Sequence, residues 1–292
     1  MLDLWVAAIL GIVEGATEFL PVSSTGHLIV AGDLLKFSGQ KAASFEIFIQ
    51  LGAILAVVVL YWRQFLGLIP CNPKHNAGFQ GMRGLALLAL TTAPALGIGA
   101  LTHRYIKEYL FSPNTVALAL AVGAVGILLA EKLKPKPRAT VLDDLGYGPA
   151  LAIGFFQCIA MWPGMSRSAA TIIGGMLSGL DRKVATEYSF LAAVPVMIAA
   201  TSYDLYKAWG HLSGSDFWFF TVGFVVSFVV AAVAVKTFIT LVQRWSLAPY
   251  AWYRLAIAPI ICVVLIPDFP ERVMQFLHGW GLLLSFPWLS GH

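Results

Sequence analysis

Six apolar runs restrict this chain more than anything else in it. Ser44–Trp62, Leu85–Leu101, Thr115–Ala130, Val184–Tyr206, Phe217–Val235 and Pro249–Ile266 each read as a membrane crossing. Inside a bilayer every peptide N–H and C=O needs a partner within the protein, so runs of this length predict helices. Composition agrees: 59% of the residues are hydrophobic and 12% charged, against about 25% charged in a soluble domain. The expectation is an all-α integral membrane protein forming one domain over residues 1–292. The net charge of +4 comes from loop lysines and arginines; the bilayer is therefore an expected partner and nucleic acid is not. Met1-Leu2-Asp3-Leu4-Trp5 lacks the positive start of a signal peptide. Cys71, Cys158 and Cys262 are odd in number and far apart, which predicts packing roles rather than a disulfide or metal knuckle.

Two further stretches are too short and too polar to cross alone. Residues 1–20 are apolar but carry Glu14 and Glu18, which share one face of a helix at a spacing of four. Pro21 interrupts that helix, Val22-Ser23-Ser24-Thr25-Gly26-His27 follows, and Leu28–Leu35 returns as a short apolar piece. The second stretch runs from Gly148–Met161 through Pro163-Gly164 to Ser168–Leu180. Each predicts a re-entrant helical hairpin whose broken tip is tolerated at membrane depth because protein or a wet cavity surrounds it.

The two halves read as an internal repeat. Gly11 and Gly154, Pro21 and Pro163, Ser24 and Ser166, and Glu46 and Glu187 are 143, 142, 142 and 141 positions apart. Repeat one covers about 1–133 and repeat two about 147–266, joined at the charged run Glu131–Arg138; an apolar tail of about 267–292 is expected at the interface. One hairpin plus three crossings per unit makes the second unit enter from the opposite face, giving two inverted-topology repeats whose tips meet near the midplane. Eleven loop lysines and arginines, among them Lys132, Lys134, Lys136 and Arg138, fall on one side and six, among them Lys36, Lys41 and Arg104, on the other. The positive-inside rule then puts both termini outside.

An ionised group at mid-membrane costs roughly 2.5–3.5 kcal/mol, and Gln or Ser would serve a structural role with far less penalty. Glu14 and Glu18 therefore read as functional. In the second tip Arg167 lies between Ser166 and Ser168 where a half-helix begins, and helix starts and guanidinium forks both suit phosphate. The plainer reading is that Ser166 caps the helix and Arg167 reaches for the interface. Pooled, Glu14, Glu18, Ser23, Ser24, Thr25, His27, Ser166 and Arg167 suit phosphoryl transfer better than acyl transfer. The rival class is a transporter or flippase for a polyprenyl phosphate lipid; an assembly factor without catalysis leaves the buried charges unexplained.

EGATEFLPVSSTGH (Glu14–His27) and PGMSRSAAT (Pro163–Thr171) resemble the two signature boxes of the bacterial undecaprenyl-diphosphate phosphatases, the bacitracin-resistance family. FEIFIQLGAILAVVV (Phe45–Val59), LDD (Leu142–Asp144) and SFLAAVPVM (Ser189–Met197) are similar too. Ala169 departs from the family, which more often has Gly there. The resemblance implies hydrolysis of undecaprenyl diphosphate to the monophosphate and inorganic phosphate at the outer face of the bacterial cytoplasmic membrane. It also implies recycling of the lipid carrier for cell-wall synthesis and bacitracin tolerance. On the matching positions, Ser24 is expected as nucleophile or phosphate-contacting hydroxyl, Glu18 as the group that orients or deprotonates it, His27 as proton carrier and Arg167 as phosphate clamp. Ser23, Thr25, Ser166 and Thr171 are expected to bond the phosphates. Glu14 and Glu18 are the expected ligands of a divalent cation, Mg²⁺ or Ca²⁺, which would balance a polyanionic substrate against two carboxylates; the alternative is a protonated Glu. A homodimer is one assembly the sequence permits.

Overall fold

A computed structural model describes residues 4–69, 78–110, 112–208 and 216–265. The tail with Trp280, Phe286 and Trp288, and Cys71, lie outside the described residues. Among those described, the elements are helices α1 (Leu4–Thr17), α2 (Ser24–Leu34), α3 (Gln40–Leu60), α4 (Trp62–Gly67), α5 (Gly81–Tyr109), α6 (Pro113–Leu133), α7 (Tyr147–Ile159), α8 (Arg167–Leu177), α9 (Arg182–Ala208), α10 (Phe217–Arg244) and α11 (Ala248–Leu265). One 3-10 turn covers Leu142–Asp144, and an isolated bridge joins Ala139 to Leu180.

Six of these helices, α3, α5, α6, α9, α10 and α11, are long and apolar enough to cross a membrane. They coincide with the six apolar runs, mostly extended by a few residues at each end. The extensions have local causes. Pro113 fills the first turn of α6, where its missing N–H costs nothing, and Ser112 and Thr115 close a reciprocal capping box. At the far end of α6, Glu131 accepts from Arg182 at 2.8 Å, Lys134 at 2.6 Å and the Leu247 N–H at 2.7 Å. The charged run that divides the halves is thus fastened to the starts of α9 and α11. Leu101 and Tyr206, 80% and 82% exposed, continue the apolar surface that the spans present outward.

Helices α1 and α7 have 14 and 13 residues, about 20 Å each at 1.5 Å per residue and short of a hydrocarbon core of about 30 Å. Each packs against a long helix of the other half, α1 on α10 and α7 on α5. Close approach explains the glycines: a Cβ on Gly15 would lie 2.6 Å from the Ser227 carbonyl, and one on Gly154 2.9 Å from the carbonyls of Leu90 and Thr91. Helices α2 and α8 fold back from α1 and α7, so each pair leaves a bend facing the interior.

Candidate active site

Both bends are built the same way. Helix α1 ends at Thr17, residues 18–23 turn, and α2 starts at Ser24 behind its cap Ser23. At the second bend α8 starts at Arg167 behind its cap Ser166. Ser23 and Ser166 have φ of 73° and 71°, a region that costs a non-glycine residue on the order of 1–3 kcal/mol and persists only where the surroundings enforce it. The structural counterpart of Ser166 is therefore Ser23, not Ser24. That shifts the sequence pairing by one residue and makes Ser24 and Arg167 equivalent first residues of two helices. Helix starts carry unsatisfied N–H groups and partial positive charge, so both favour an anion.

Glu18 joins the two. Its Oε2 accepts from the Ser24 hydroxyl at 2.6 Å, and its Oε1 accepts from Arg167 Nη2 at 3.1 Å. The carboxylate is 9% exposed, so the pair lies in a weakly screened environment where such bonds are strong. Arg167 is held further by the Ser189 carbonyl at 3.3 Å, by Met197 Sδ at 3.3 Å and by the Phe19 ring, 5.1 Å from its Cζ. Its Nε is buried with no partner. Both terminal nitrogens of the guanidinium are thus committed to the protein, and Nε is left without a partner.

The other expected site residues divide. Glu14, 2% exposed, has an Oε2 without a partner and lies within electrostatic reach of Glu18 and Arg167. Ser23 caps Gly26 N–H at 3.5 Å, and Thr25 stands beside it, half-buried. Ser166 accepts from Ala169 N–H at 3.2 Å and bonds Ser168 Oγ at 3.0 Å. Thr171 is fully buried, bonding the Arg167 carbonyl at 2.9 Å and Ser189 Oγ at 2.6 Å; it steadies the first turn of α8. His27 is engaged on both sides, Nδ1 with the Ser23 carbonyl and Nε2 with the Tyr253 hydroxyl, each at 2.7 Å. A carbonyl only accepts, so Nδ1 carries the proton in the neutral ring and Nε2 accepts from Tyr253.

Residues 7–260 match the family model described as bacitracin resistance protein BacA. The chain belongs to the BacA family. Among curated relatives, the undecaprenyl-diphosphatases of Nitratidesulfovibrio vulgaris (strain DP4) and Maridesulfovibrio salexigens are each 59% identical over 261 residues, 89% of this chain and 98% of theirs. That of Desulfovibrio desulfuricans is 59% identical over 259 residues, covering 89% of this chain and 97% of its own.

This BacA-family chain also uses residues that the motifs of the sequence do not point to, above all Arg254. It is fully buried in α11, and its guanidinium donates to five carbonyls: Leu120 at 3.1 Å, Pro21 at 3.3 Å, Met165 at 2.9 Å, Ala119 at 3.2 Å and Gly164 at 3.0 Å. Pro21, Gly164 and Met165 belong to the two bends, where broken helices strand their carbonyls. A buried carbonyl must be satisfied, and one guanidinium does this for both bends at once. Ser168 adds a second tie, donating to the Leu20 carbonyl at 2.7 Å. Gly123 makes room for Arg254, since a Cβ there would collide with the guanidinium. The available signal was a charge in the middle of an apolar run.

Proposed function

We propose that this chain hydrolyses undecaprenyl diphosphate to undecaprenyl phosphate and inorganic phosphate. The carrying observation is the single carboxylate, Glu18, that holds a serine hydroxyl from one bend and a guanidinium from the other. The undecaprenyl-diphosphatases that match it across almost their full length support the same substrate.

In this reading Arg167 and the N–H groups at the starts of α2 and α8 bind the terminal phosphate. Glu18 Oε2 takes the Ser24 proton as Ser24 Oγ attacks the terminal phosphorus, and the bond from that phosphorus to the bridging oxygen breaks. Undecaprenyl phosphate leaves with the bridging oxygen. Water then attacks the phosphorus of the phosphoserine, the bond from phosphorus to Ser24 Oγ breaks as Glu18 returns its proton to that oxygen, and inorganic phosphate leaves with the oxygen and both hydrogens of the water. Ser23 and Thr25 line the phosphate side of the bend, and His27 with Tyr253 forms its proton-bearing edge.

A divalent cation fits the donor set only in part. Among the described residues no three His, Cys, Asp or Glu side chains group to hold a metal, and both Glu18 oxygens already have partners. Glu14 Oε2 is free, and Mg²⁺ commonly binds through one or two carboxylates with substrate phosphates completing its shell. We assign Glu14, with Glu18 when it yields a partner, as the ligands of Mg²⁺ or Ca²⁺. Such an ion would neutralise charge on the diphosphate.

The finer architecture belongs to the same proposal: two inverted repeats, each with a re-entrant hairpin (α1–α2 and α7–α8), and a site open to the outer face of the cytoplasmic membrane. Its supports are the matched backbone at Ser23 and Ser166, the exchange of α1 and α7 between halves, and the loop-charge asymmetry. A site on that face suits recycling of the lipid carrier for wall synthesis and tolerance to bacitracin.

Phosphate release from undecaprenyl diphosphate by the detergent-solubilised protein tests the activity. No gradient exists there, so a transporter would release nothing. Release at a rate unchanged by Ser24→Ala would reject the role given to Ser24.

A further inference from the structure

Among the buried polar atoms that lack a partner are Arg167 Nε and Gln157 Oε1, and their side chains line the same cleft of about 590 Å³. Gln157, in the last turn of α7, is 3% exposed, and its Nε2 donates to the Thr91 carbonyl at 3.2 Å. That bond orients the amide. A carbonyl only accepts, so the nitrogen faces Thr91 and the oxygen is the atom left over. Thr91 is itself anchored, its hydroxyl bonding that of Tyr188 at 2.6 Å. The two unpartnered atoms require opposite partners. Arg167 Nε–H needs an acceptor, which an ionised phosphate supplies. Gln157 Oε1 needs a donor, which an ionised phosphate lacks, and a buried acceptor left unmet is destabilising. A water beside the phosphate carries that donor.

The repeat and the walls of the cleft say what such a water does. Gln157 follows Glu14 by 143 positions, the offset that relates Gly11 to Gly154. A carboxylate in one half is thus answered by an amide in the other. The amide carries no charge to repel phosphate and is too weak a base to take a proton, so it can only orient. Among the described residues, the walls include Gln157 and Arg167 but neither Glu18 nor Ser24. Gln157 and Ser24 therefore approach Arg167 from different sides. Phosphoryl transfer runs roughly in line, with the entering and leaving oxygens on opposite sides of phosphorus. A phosphoryl group joined to Ser24 and held on Arg167 receives its entering oxygen from the side where Gln157 stands.

We propose that Gln157 is a catalytic residue of the second step, its Oε1 accepting a hydrogen bond from the water that hydrolyses the phosphoserine. This role rests on the phosphoserine step of the proposed reaction. One O–H of the water bonds Gln157, which turns an oxygen lone pair toward phosphorus. That lone pair forms the new bond to phosphorus, and the bond from phosphorus to Ser24 Oγ breaks. Glu18 returns its proton to Oγ, and both hydrogens of the water leave with inorganic phosphate. In the first step the bridging oxygen departs on the side opposite Ser24. The water thus takes the place that undecaprenyl phosphate vacates, and Gln157 acts only once the first product has left.

The test uses purified full-length protein and a polyprenyl diphosphate radiolabelled in its terminal phosphate, with acid quenching during and after the first turnover. Gln157→Met keeps the length of the side chain and removes the acceptor. It should release polyprenyl monophosphate in the first turnover at a rate within about threefold of wild type. Steady-state phosphate release should then fall roughly a hundredfold. Label should build up on Ser24 until most of the protein carries it, whereas wild type should hold far less. Gln157→Leu also lacks the acceptor and should trap label in the same way. A merely structural role for Gln157 would slow both phases together and trap nothing. Equal slowing of the two phases in a variant that elutes like wild type would overturn the proposal. So would steady-state release within about threefold of wild type, or Ser24 that never carries label. Wild-type protein that releases no phosphate would reject the phosphatase reading itself, and the role of Gln157 with it.

Discussion

Glu18 and Arg167 meet at 3.1 Å across 149 positions of sequence, and the same carboxylate holds Ser24. Under the proposed mechanism, a shared partner lets the two bends act on one bound phosphate rather than on two. Ser24→Ala and Arg167→Ala should each lower turnover by roughly a hundredfold or more. Because both act on one transition state, the double variant should fall well short of the multiplied losses. Arg167→Lys should recover only part of the rate, since an ammonium cannot bond Glu18 and a phosphate as a fork does. Steady-state phosphate release by variants that elute like wild type is the measurement. Near-wild-type turnover in Arg167→Ala would make the second bend purely structural.

The hydrogen bond from Tyr253 to His27 gives a separate expectation. Tyr253→Phe removes the donor that the structure places on His27 Nε2 and leaves ring stacking, now at 5.6 Å between centroids, in place. If His27 carries protons, Tyr253→Phe should lower kcat several-fold, on the scale of one lost bond of about 1 kcal/mol, while KM stays near wild type. His27→Gln should then be no further affected by adding Tyr253→Phe. Independent, multiplied losses would show that the pair does not work as a unit.

Span positions were legible in the sequence because apolar run length and capping residues act locally: Pro113 and the Ser112–Thr115 box mark the start of α6 in four residues. The carboxylates of the first bend stood out for a similar reason, since unneeded charge at membrane depth is expensive. What lay hidden is tertiary. Ser166 as a helix cap was one reading of the sequence, and its hydroxyl does accept from Ala169 N–H; nothing in the sequence says that Ser168 also bonds it or that Thr171 turns to Ser189. The role of Arg254, visible only as a charge within an apolar run, was hidden for the same cause. Its partners are carbonyls up to 233 positions away, and carbonyls have no sequence signature.

The unpartnered Glu14 Oε2 leads to a prediction about metal. Chelation by EDTA should abolish phosphate release, and Mg²⁺ or Ca²⁺ should restore it. Glu14→Gln keeps the shape and loses the charge, so it should raise the metal concentration for half-maximal rate by about tenfold. Full activity in chelator would remove the cation and leave a protonated glutamate as the account of the carboxylate pair.

Orientation can be read without assaying activity. Gln40 at the start of α3 and Lys136 after α6 are both exposed and lie on opposite sides in the inverted-repeat arrangement. In intact cells a membrane-impermeant thiol reagent should label Gln40→Cys, whereas Lys136→Cys should label only after the membrane is opened. The reverse pattern would turn the site toward the cytoplasm and remove the outer-face part of the proposal.

The sharpest stability prediction falls on Arg254. Removing its guanidinium strands the carbonyls of Pro21, Gly164 and Met165 in the interior, and each unsatisfied group costs about 1–3 kcal/mol. Arg254→Met matches much of the volume but supplies no donor, so it should lower the unfolding temperature and cut turnover by at least about tenfold. Arg254→Lys offers one ammonium in place of a five-donor fork and should recover part of the stability. It should recover less of the rate, because one ammonium cannot hold Pro21 in the first bend and Gly164 in the second together. Thermal unfolding in detergent, read beside kcat and KM, separates the two effects. A Lys variant with wild-type kcat would show that the two bends keep their register without the fork, and the tie would then lie with Ser168 and the Leu20 carbonyl alone.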